Sequence, residues 1–317
     1  MINETETLKG LVIRGSRNVI TARIDTKDGP VELECRIKGK ILKGQEDLYN
    51  PIAPGDYVII ERQKNSNNAM ILSVEDRRNV FSRYNQKGSA SQLLAANVDL
   101  ILCICTPVSP PFRPRFLDRV LLQADIAEIE SIIIFNKIDL EYDDLDIDER
   151  LEEYIRIGYK VINVSAKTGE GINELRNKIT GKRCVLSGQS GVGKSSIINA
   201  LQPGFNIKEG LLNEKFDRGV HTTTMSFLFE LADGTQLIDT PGVRRFIPDG
   251  INSNEVINYL REFAPLAGKC SFGLSCSHKT ECGCKILEAI HAGVIHEDRY
   301  ESFMRIMDDL DGKDNDD

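Results

Sequence analysis

A chain of 317 residues is long enough for two or three domains, each with a core of its own. Charged residues make up 28% of it with both signs mixed. The formal net charge of -8 excludes a protein that coats nucleic acid by being basic throughout, though not one with a local basic face. MINETETLKG at the start has no basic segment leading into an apolar run, and no apolar stretch is long enough to cross a bilayer, so a cytoplasmic protein without membrane attachment is expected.

Residues 1–75 contain LKGLVIRGSRNVITARI, VELECRIKGKI, GDYVIIERQ and AMILSVEDR, β-rich pieces divided by KDGP, NPIAPG and NSNN. Short strands cut at regular intervals by turn residues predict a small β-barrel such as an OB-fold. Acidic and basic residues balance over this segment, so charge permits RNA contact there without requiring it. RRNVFSRYNQKGSASQLLAAN, within 76–97, is expected to connect the barrel to a second domain.

From there to about residue 250 the rhythm is strand–helix alternation. VDLILCICT, SIIIFNKIDL, KVINVSAKT and KRCVLSG read as strands. FRPRFLDRVLLQADIAEI, LDIDERLEEYIRIGY, GINELRNKITG and GKSSIINALQ read as helices, and MSFLFELADGTQLIDTPG as two strands about the turn ADG. This predicts a mostly parallel sheet covered by helices, an α/β domain.

The chemistry-bearing motifs lie in this stretch. Asn136, Lys137, Ile138 and Asp139 form NKID at a strand end. The Asp139 carboxylate can accept the N1–H and N2–H₂ pair of guanine. Adenine lacks that pair and would leave the charge unmatched. Asn136 would hold the loop, and the Lys137 stem would pack on the ring. Ser165, Ala166 and Lys167 form SAK after the next strand, where the Ala166 N–H would meet guanine O6. Next comes the phosphate-loop pattern with its strand before and helix after: Gly188, Gln189, Ser190, Gly191, Val192, Gly193, Lys194 and Ser195, and then Ser196. Its amides would turn inward around phosphate, Lys194 would reach the β and γ phosphates, and Ser195 would ligate Mg²⁺. Gly191 stands where potassium-activated GTPases usually place Asn, so that position gives a potassium requirement no support.

RGVHTTT then offers Thr222, Thr223 and Thr224 as a first switch, with Thr223 favoured to complete the Mg²⁺ shell. In DTPG, Asp239 would hold the ion through water and the Gly242 N–H would meet the γ-phosphate. The next residue, Val243, cannot orient water as the Gln of Ras-like enzymes does. His221 is the candidate to position the attacking water or accept its proton, with Lys194 and Thr223 as its catalytic companions. Arg244 and Arg245 are candidates for transition-state charge or for a partner.

A conventional GTPase runs phosphate loop, threonine switch, DTPG, base reader, SAK. Here the base reader and SAK come first. Every member is present in rotated order, which predicts a circularly permuted GTPase whose usual ends are joined through GINELRNKITGK. Rotation is feasible because domain termini tend to lie close together.

Beyond residue 250, in 251–317, a mostly helical pattern surrounds KCSFGLSCSHKTECGCKI. Clustered cysteines in a reducing compartment point to a metal, and three thiolates with one imidazole suit one tetrahedral structural zinc. Cys270, Cys276, His278 and Cys284 are the predicted ligands, and spacing alone leaves Cys282 able to replace Cys284. Cys35, Cys103, Cys105 and Cys184 are scattered in strand-like sequence and are expected to be buried thiols. ILEAIHAGVIHEDRYESFMRIMDDL reads as an amphipathic helix, and the acidic end DDLDGKDNDD as a solvated tail.

With CRIKGK and PGDYV in the barrel, AANVD, LDRVLLQA, HTTT and AGVIHEDRY added, the motifs resemble the RsgA (YjeQ) family of GTPases over nearly the whole chain. The resemblance implies an OB-fold, a permuted GTPase domain and a zinc-binding domain. It implies binding to the small ribosomal subunit and its rRNA late in maturation, with GTP hydrolysis stimulated by that subunit, and it carries over the zinc ligands Cys270, Cys276, His278 and Cys284. Two features depart from the family pattern: the Cys270–Cys276 interval is one residue longer, and Cys282 stands where Pro is common. Arg14, Arg17, Arg36, Lys38 and Lys40 are the barrel's candidate RNA contacts. A monomer is expected. The competing functions are a GTP-dependent switch on a protein partner without RNA, and an RNA-binding scaffold in which GTP only stabilises the fold.

Overall fold

The computed structural model describes residues 5–15, 20–38, 48–63, 68–205, 226–242 and 245–314. Alternation in the N-terminal strands places one face of each inward: Ile20, Ala22 and Ile24 of β2 (Ile20–Thr26) and Leu33 and Cys35 of β3 (Gly29–Ile37) are buried together with Val58 and Ile60. The long strand β1 (Thr5–Gly15) closes the barrel by pairing with both β2 and β5 (Tyr57–Gln63). The order around it is β1–β2–β3–β6–β5, with β6 (Asn68–Val74) parallel to β3 and the other pairings antiparallel. That closed five-stranded arrangement is the OB-fold. Arg36 and Lys38 are exposed on it and Arg14 is half-buried, whereas Arg17 and Lys40 lie outside the described residues.

β1 also pairs with a strand of the next domain, so barrel and α/β sheet form one hydrogen-bonded order of eleven strands. The α/β part runs β11 (Lys160–Val164), β10 (Glu130–Asn136), β9 (Leu100–Cys105), β12 (Arg183–Ser187), β14 (Gln236–Asp239), β13 (Ser226–Glu230). The first five are parallel and β13 is antiparallel. β9 is buried along its whole length because helices cover both faces. α1 (Pro114–Ile126) and α2 (Leu145–Arg156) pack on one face, and α3 (Ile172–Ile179) and α4 (Lys194–Leu201) on the other.

Two expectations need correction. The segment 76–97, read as a plain connector, folds as the hairpin β7 (Val80–Asn85) and β8 (Ala90–Ala96), with β4 (Leu48–Asn50) added to β8. The C-terminal helix, read as continuous, is two: α5 (Lys285–His291) and α6 (Glu297–Asp314). α5 stops where the Gly293 and Val294 amides fold back to Ile290 and Ala289, which satisfies its last carbonyls. α6 and three short 3₁₀ turns, beginning at Ser253–Asn258, form a third core around Phe263 and Phe303, whose ring centroids are 4.9 Å apart.

Candidate nucleotide site and metal cluster

The carboxyl ends of β10, β11, β12 and β14 carry NKID, SAK, the phosphate loop and DTPG in turn, so the parallel sheet brings four loops to one edge. This is where ligands bind in open α/β sheets. The rotated motif order is therefore undone by the strand order.

Asn136 is the centre of the arrangement. It is 1% exposed; its Nδ2 donates to Val192 O in the phosphate loop at 2.9 Å, and its Oδ1 accepts from the Ala166 N–H at 3.1 Å. One side chain thus clasps three motifs. Gly193 permits this approach: a Cβ there would stand 2.4 Å from Asn136 Nδ2, and its φ of 93° favours glycine. Asp139 accepts from Ser165 Oγ at 2.7 Å and faces Lys167 at 3.4 Å. The Ser165 hydroxyl, aided by Lys167, holds its carboxyl below the ordinary range, and the ionised form is the one that accepts a donor pair.

Lys137 differs from expectation in where its charge goes. Its ammonium donates to Gly191 O at 2.7 Å and to Ser109 O. It ties the phosphate loop to the turn after β9, where Thr106 Oγ1 donates to Pro110 O at 2.8 Å. Sequence reading missed that turn, whose signal was the SPPF cluster.

In the phosphate loop, Lys194 Nζ donates to Gly188 O and Gln189 O at 3.1 and 3.2 Å. Gly242 backs onto it, since a Cβ there would lie 3.0 Å from Ser190 N and 3.3 Å from Lys194 Nζ. DTPG is anchored by Thr240 Oγ1 donating to Leu186 O at 2.8 Å. Ser195 and Ser196 stand half-buried in the first turn of α4. Burial lowers the Lys194 pKa, partly offset by Asp239; burial raises Asp239 to about 6, partly offset by Lys194. Asp239 Oδ1 is buried without a hydrogen-bond partner among the described residues, an orphan acceptor of the kind a hard cation satisfies. His221, Thr222, Thr223, Thr224, Val243 and Arg244 lie outside the described residues.

The second cluster is Cys270, Cys276, His278 and Cys284, all buried, with ligand atoms within 4.8 Å of one another. His278 Nδ1 lies 3.4 Å from Cys284 Sγ and 3.6 Å from Cys270 Sγ. Tyr300 of α6 donates to the His278 carbonyl at 2.7 Å and so holds that turn. Cys282 is exposed and outside the cluster, which decides between it and Cys284. Three thiols and one imidazole at this spacing fit one metal ion.

Residues 74–247 match a family model described as RsgA GTPase. The small ribosomal subunit biogenesis GTPase RsgA of Flavobacterium psychrophilum is 38% identical over 283 residues, covering 87% of this chain and 86% of its own. That of Chlorobaculum parvum is 38% identical over 315 residues, covering 96% and 99%. The crystal structure of YjeQ from Thermotoga maritima superposes with a TM-score of 0.71 at 29% identity, over 97% of this chain and 99% of that one. YloQ, described as a circularly permuted GTPase, shares the fold, with a TM-score of 0.66 at 23% identity over 97% of this chain and 96% of its own.

Proposed function

The chain belongs to the RsgA family of GTPases, and on that premise we propose that it binds the small ribosomal subunit and its rRNA, assists late maturation, and hydrolyses GTP faster when bound there. The observation that supports this reading best is the Asn136 clasp, which holds base loop, SAK loop and phosphate loop in one register despite the rotated chain. Asp139 accepts the guanine donor pair, and the Ala166 N–H would turn from Asn136 Oδ1 to O6 when guanine binds. The phosphate-loop amides and Lys194 take the phosphates. His221 would orient the water that attacks the γ-phosphorus; the bond to the β–γ bridging oxygen breaks and GDP departs. Ser195, Thr223 and Asp239 would hold Mg²⁺, which when bound neutralises charge on the β and γ phosphates. Cys270, Cys276, His278 and Cys284 would hold one structural Zn²⁺ and so stabilise a segment with a small core. The protein would act in the cytoplasm as a monomer; among the described residues no helix is long and apolar enough to cross a membrane.

The test is GTP hydrolysis by the purified protein with and without small subunits, with Lys194→Ala as the blank. Stimulation by small but not large subunits is expected. A slow rate indifferent to ribosomes would leave a GTPase but remove the ribosomal assignment and direct the search to a protein ligand.

A further inference from the structure

Beside the nucleotide site lies a groove of about 460 Å³ that the hydrolysis chemistry does not use. Its volume is that of a small-ligand site. It is lined by Arg113, Arg115, Arg119, Arg150 and Arg245, and Asp298 is its one acidic lining residue. Phe112 and Phe116 form half-buried aromatic walls, and Gln189 of the phosphate loop reaches its inner end.

The charge in the groove is not cancelled. Among the described residues Asp309 alone serves both Arg119, at 2.5 Å, and Arg245, at 2.6 Å. The Asp309 pair thus keeps a surplus positive charge in the groove. Among the described residues Glu301 serves Arg115 and, at 3.9 Å, Arg305, which lies outside the groove. The exposed Arg113 guanidinium has no partner among the described residues. It sits at the N-cap of α1, whose dipole adds positive potential. Arg150 is held by the buried Asp118 at 3.0 Å, while its Nε has no hydrogen-bond partner among the described residues. Guanidiniums with spare charge beside phenylalanine rings are the elements that bind single-stranded nucleic acid: cations track the phosphates and rings stack the bases.

We propose that this groove binds a nucleoside phosphate presented by single-stranded RNA, with phosphate on Arg113 and Arg245 and a base against Phe112 or Phe116. The proposal rests on the ribosomal reading above. It adds where an RNA strand would meet the switch, since Arg245 comes just after DTPG and Gln189 belongs to the phosphate loop. An RNA seated there touches both sides of the hydrolysis site. An open groove rimmed by exposed Arg113 and Arg115 suits a strand passing through better than a free nucleotide.

The experiment titrates the full chain, loaded with a non-hydrolysable GTP analogue, into a labelled single-stranded RNA of roughly ten nucleotides across a salt series. Arg113→Ala removes no ion pair among the described residues. It should weaken binding about tenfold, the worth of one charge-assisted contact. It should also reduce the slope of log affinity against log salt by about 0.7, the share of one phosphate on a single strand. Arg113→Lys should keep the slope. Basal GTP hydrolysis should be unchanged in both variants, while stimulation by small subunits falls in Arg113→Ala. Equal RNA affinity in wild type and Arg113→Ala overturns the proposal, as does a wild type that binds no RNA. Displacement of the RNA by free mononucleotides at comparable concentration would overturn the RNA source in favour of a soluble nucleotide. Arg113-dependent RNA binding without stimulation by subunits would uphold the groove while overturning the assembly-factor reading.

Discussion

Replacing Asp118 with asparagine should detach the C-terminal helix α6 from the GTPase domain. Asp118 of α1 has no exposed surface. Arg299 of α6 reaches its Oδ1 at 2.5 Å, Arg150 of α2 reaches its Oδ2 at 3.0 Å, and the Tyr154 hydroxyl donates at 2.5 Å. Glu262 accepts the other side of Arg299 at 2.5 Å, so two carboxylates balance two guanidiniums in a buried set. The substitution removes one negative charge and leaves the set positive. Breaking one side of a buried ion pair costs about 3–5 kcal/mol. A direct estimate agrees, since unit charges about 4 Å apart interact by about 4 kcal/mol at an effective dielectric near 20. The chain has no tryptophan, so the reporter is hydrogen exchange of α6 amides relative to those of β9 and β12. The opening free energy of α6 should drop by about 3–5 kcal/mol, with the sheet little changed. Burial alone would raise the Asp118 pKa, but the Arg299 and Arg150 charges outweigh it and hold the carboxyl below its usual range. A depressed pKa gives stability that is complete above the unfolded value and lost as pH falls through the folded one. The gap between wild type and variant should therefore close on acidification below about pH 4. Unchanged α6 protection at neutral pH would refute the argument.

Three further outcomes are expected at the sites themselves. Asp139→Asn should weaken GDP binding by at least about a hundredfold and favour xanthine nucleotides, whose C2 carbonyl can accept from the asparagine amide; fluorescent-nucleotide titration checks it, and unaltered GDP affinity would disprove the base-reading role. Burial raises Asp239 to about 6 in the metal-free protein, so its contribution to stability is complete below the ordinary aspartate range and is lost as pH rises through about 6. Asp239→Asn should flatten the pH dependence of thermal unfolding between those limits; a profile identical to wild type would contradict it. Metal analysis should find one zinc per chain, lost in Cys284→Ser and kept in Cys282→Ser, because only Cys284 lies in the cluster; equal loss in both would require another ligand set.

What could be read in the sequence was local. NKID, SAK, GQSGVGKS and DTPG each occupy a strand end and its loop, and their geometry comes from adjacent residues, so rotation of the chain did not hide them. The barrel likewise showed through alternation in Ile20, Ala22 and Ile24. Pairings between distant residues were not legible. Asp118 and Arg299 are 181 positions apart, and each alone reads as an ordinary helix-surface charge. The hairpin of β7 and β8 escaped because its turn spans four residues, 86–89, rather than the two of a tight turn, and its pairing shifts register between Phe81 and Ser82. The choice between Cys282 and Cys284 depended on which way the chain turns, which spacing does not encode.

The segment leaving DTPG is fastened on two sides. Phe246 packs between Phe81 of β7 and Phe116 of α1, at centroid distances of 5.8 and 6.3 Å. Ile247 O accepts from Tyr84 N at 3.0 Å. Asp249 accepts from Ser82 at 2.8 Å and from Ser91, and its own amide donates to Gln123 at 2.7 Å. Arg245 meanwhile holds Asp309 of α6 at 2.6 Å. Each hydrogen bond contributes about 1 kcal/mol, so breaking the set costs more than moving it as a unit. A shift of DTPG would then carry the β7–β8 hairpin with it and pull on α6 through Arg245. In a chain of conventional order the segment after DTPG leads to another strand of the sheet. In this one it leads through residues 245–258 into the segment that carries Cys270, Cys276, His278 and Cys284, so the rotation places the DTPG loop in covalent series with the C-terminal helices.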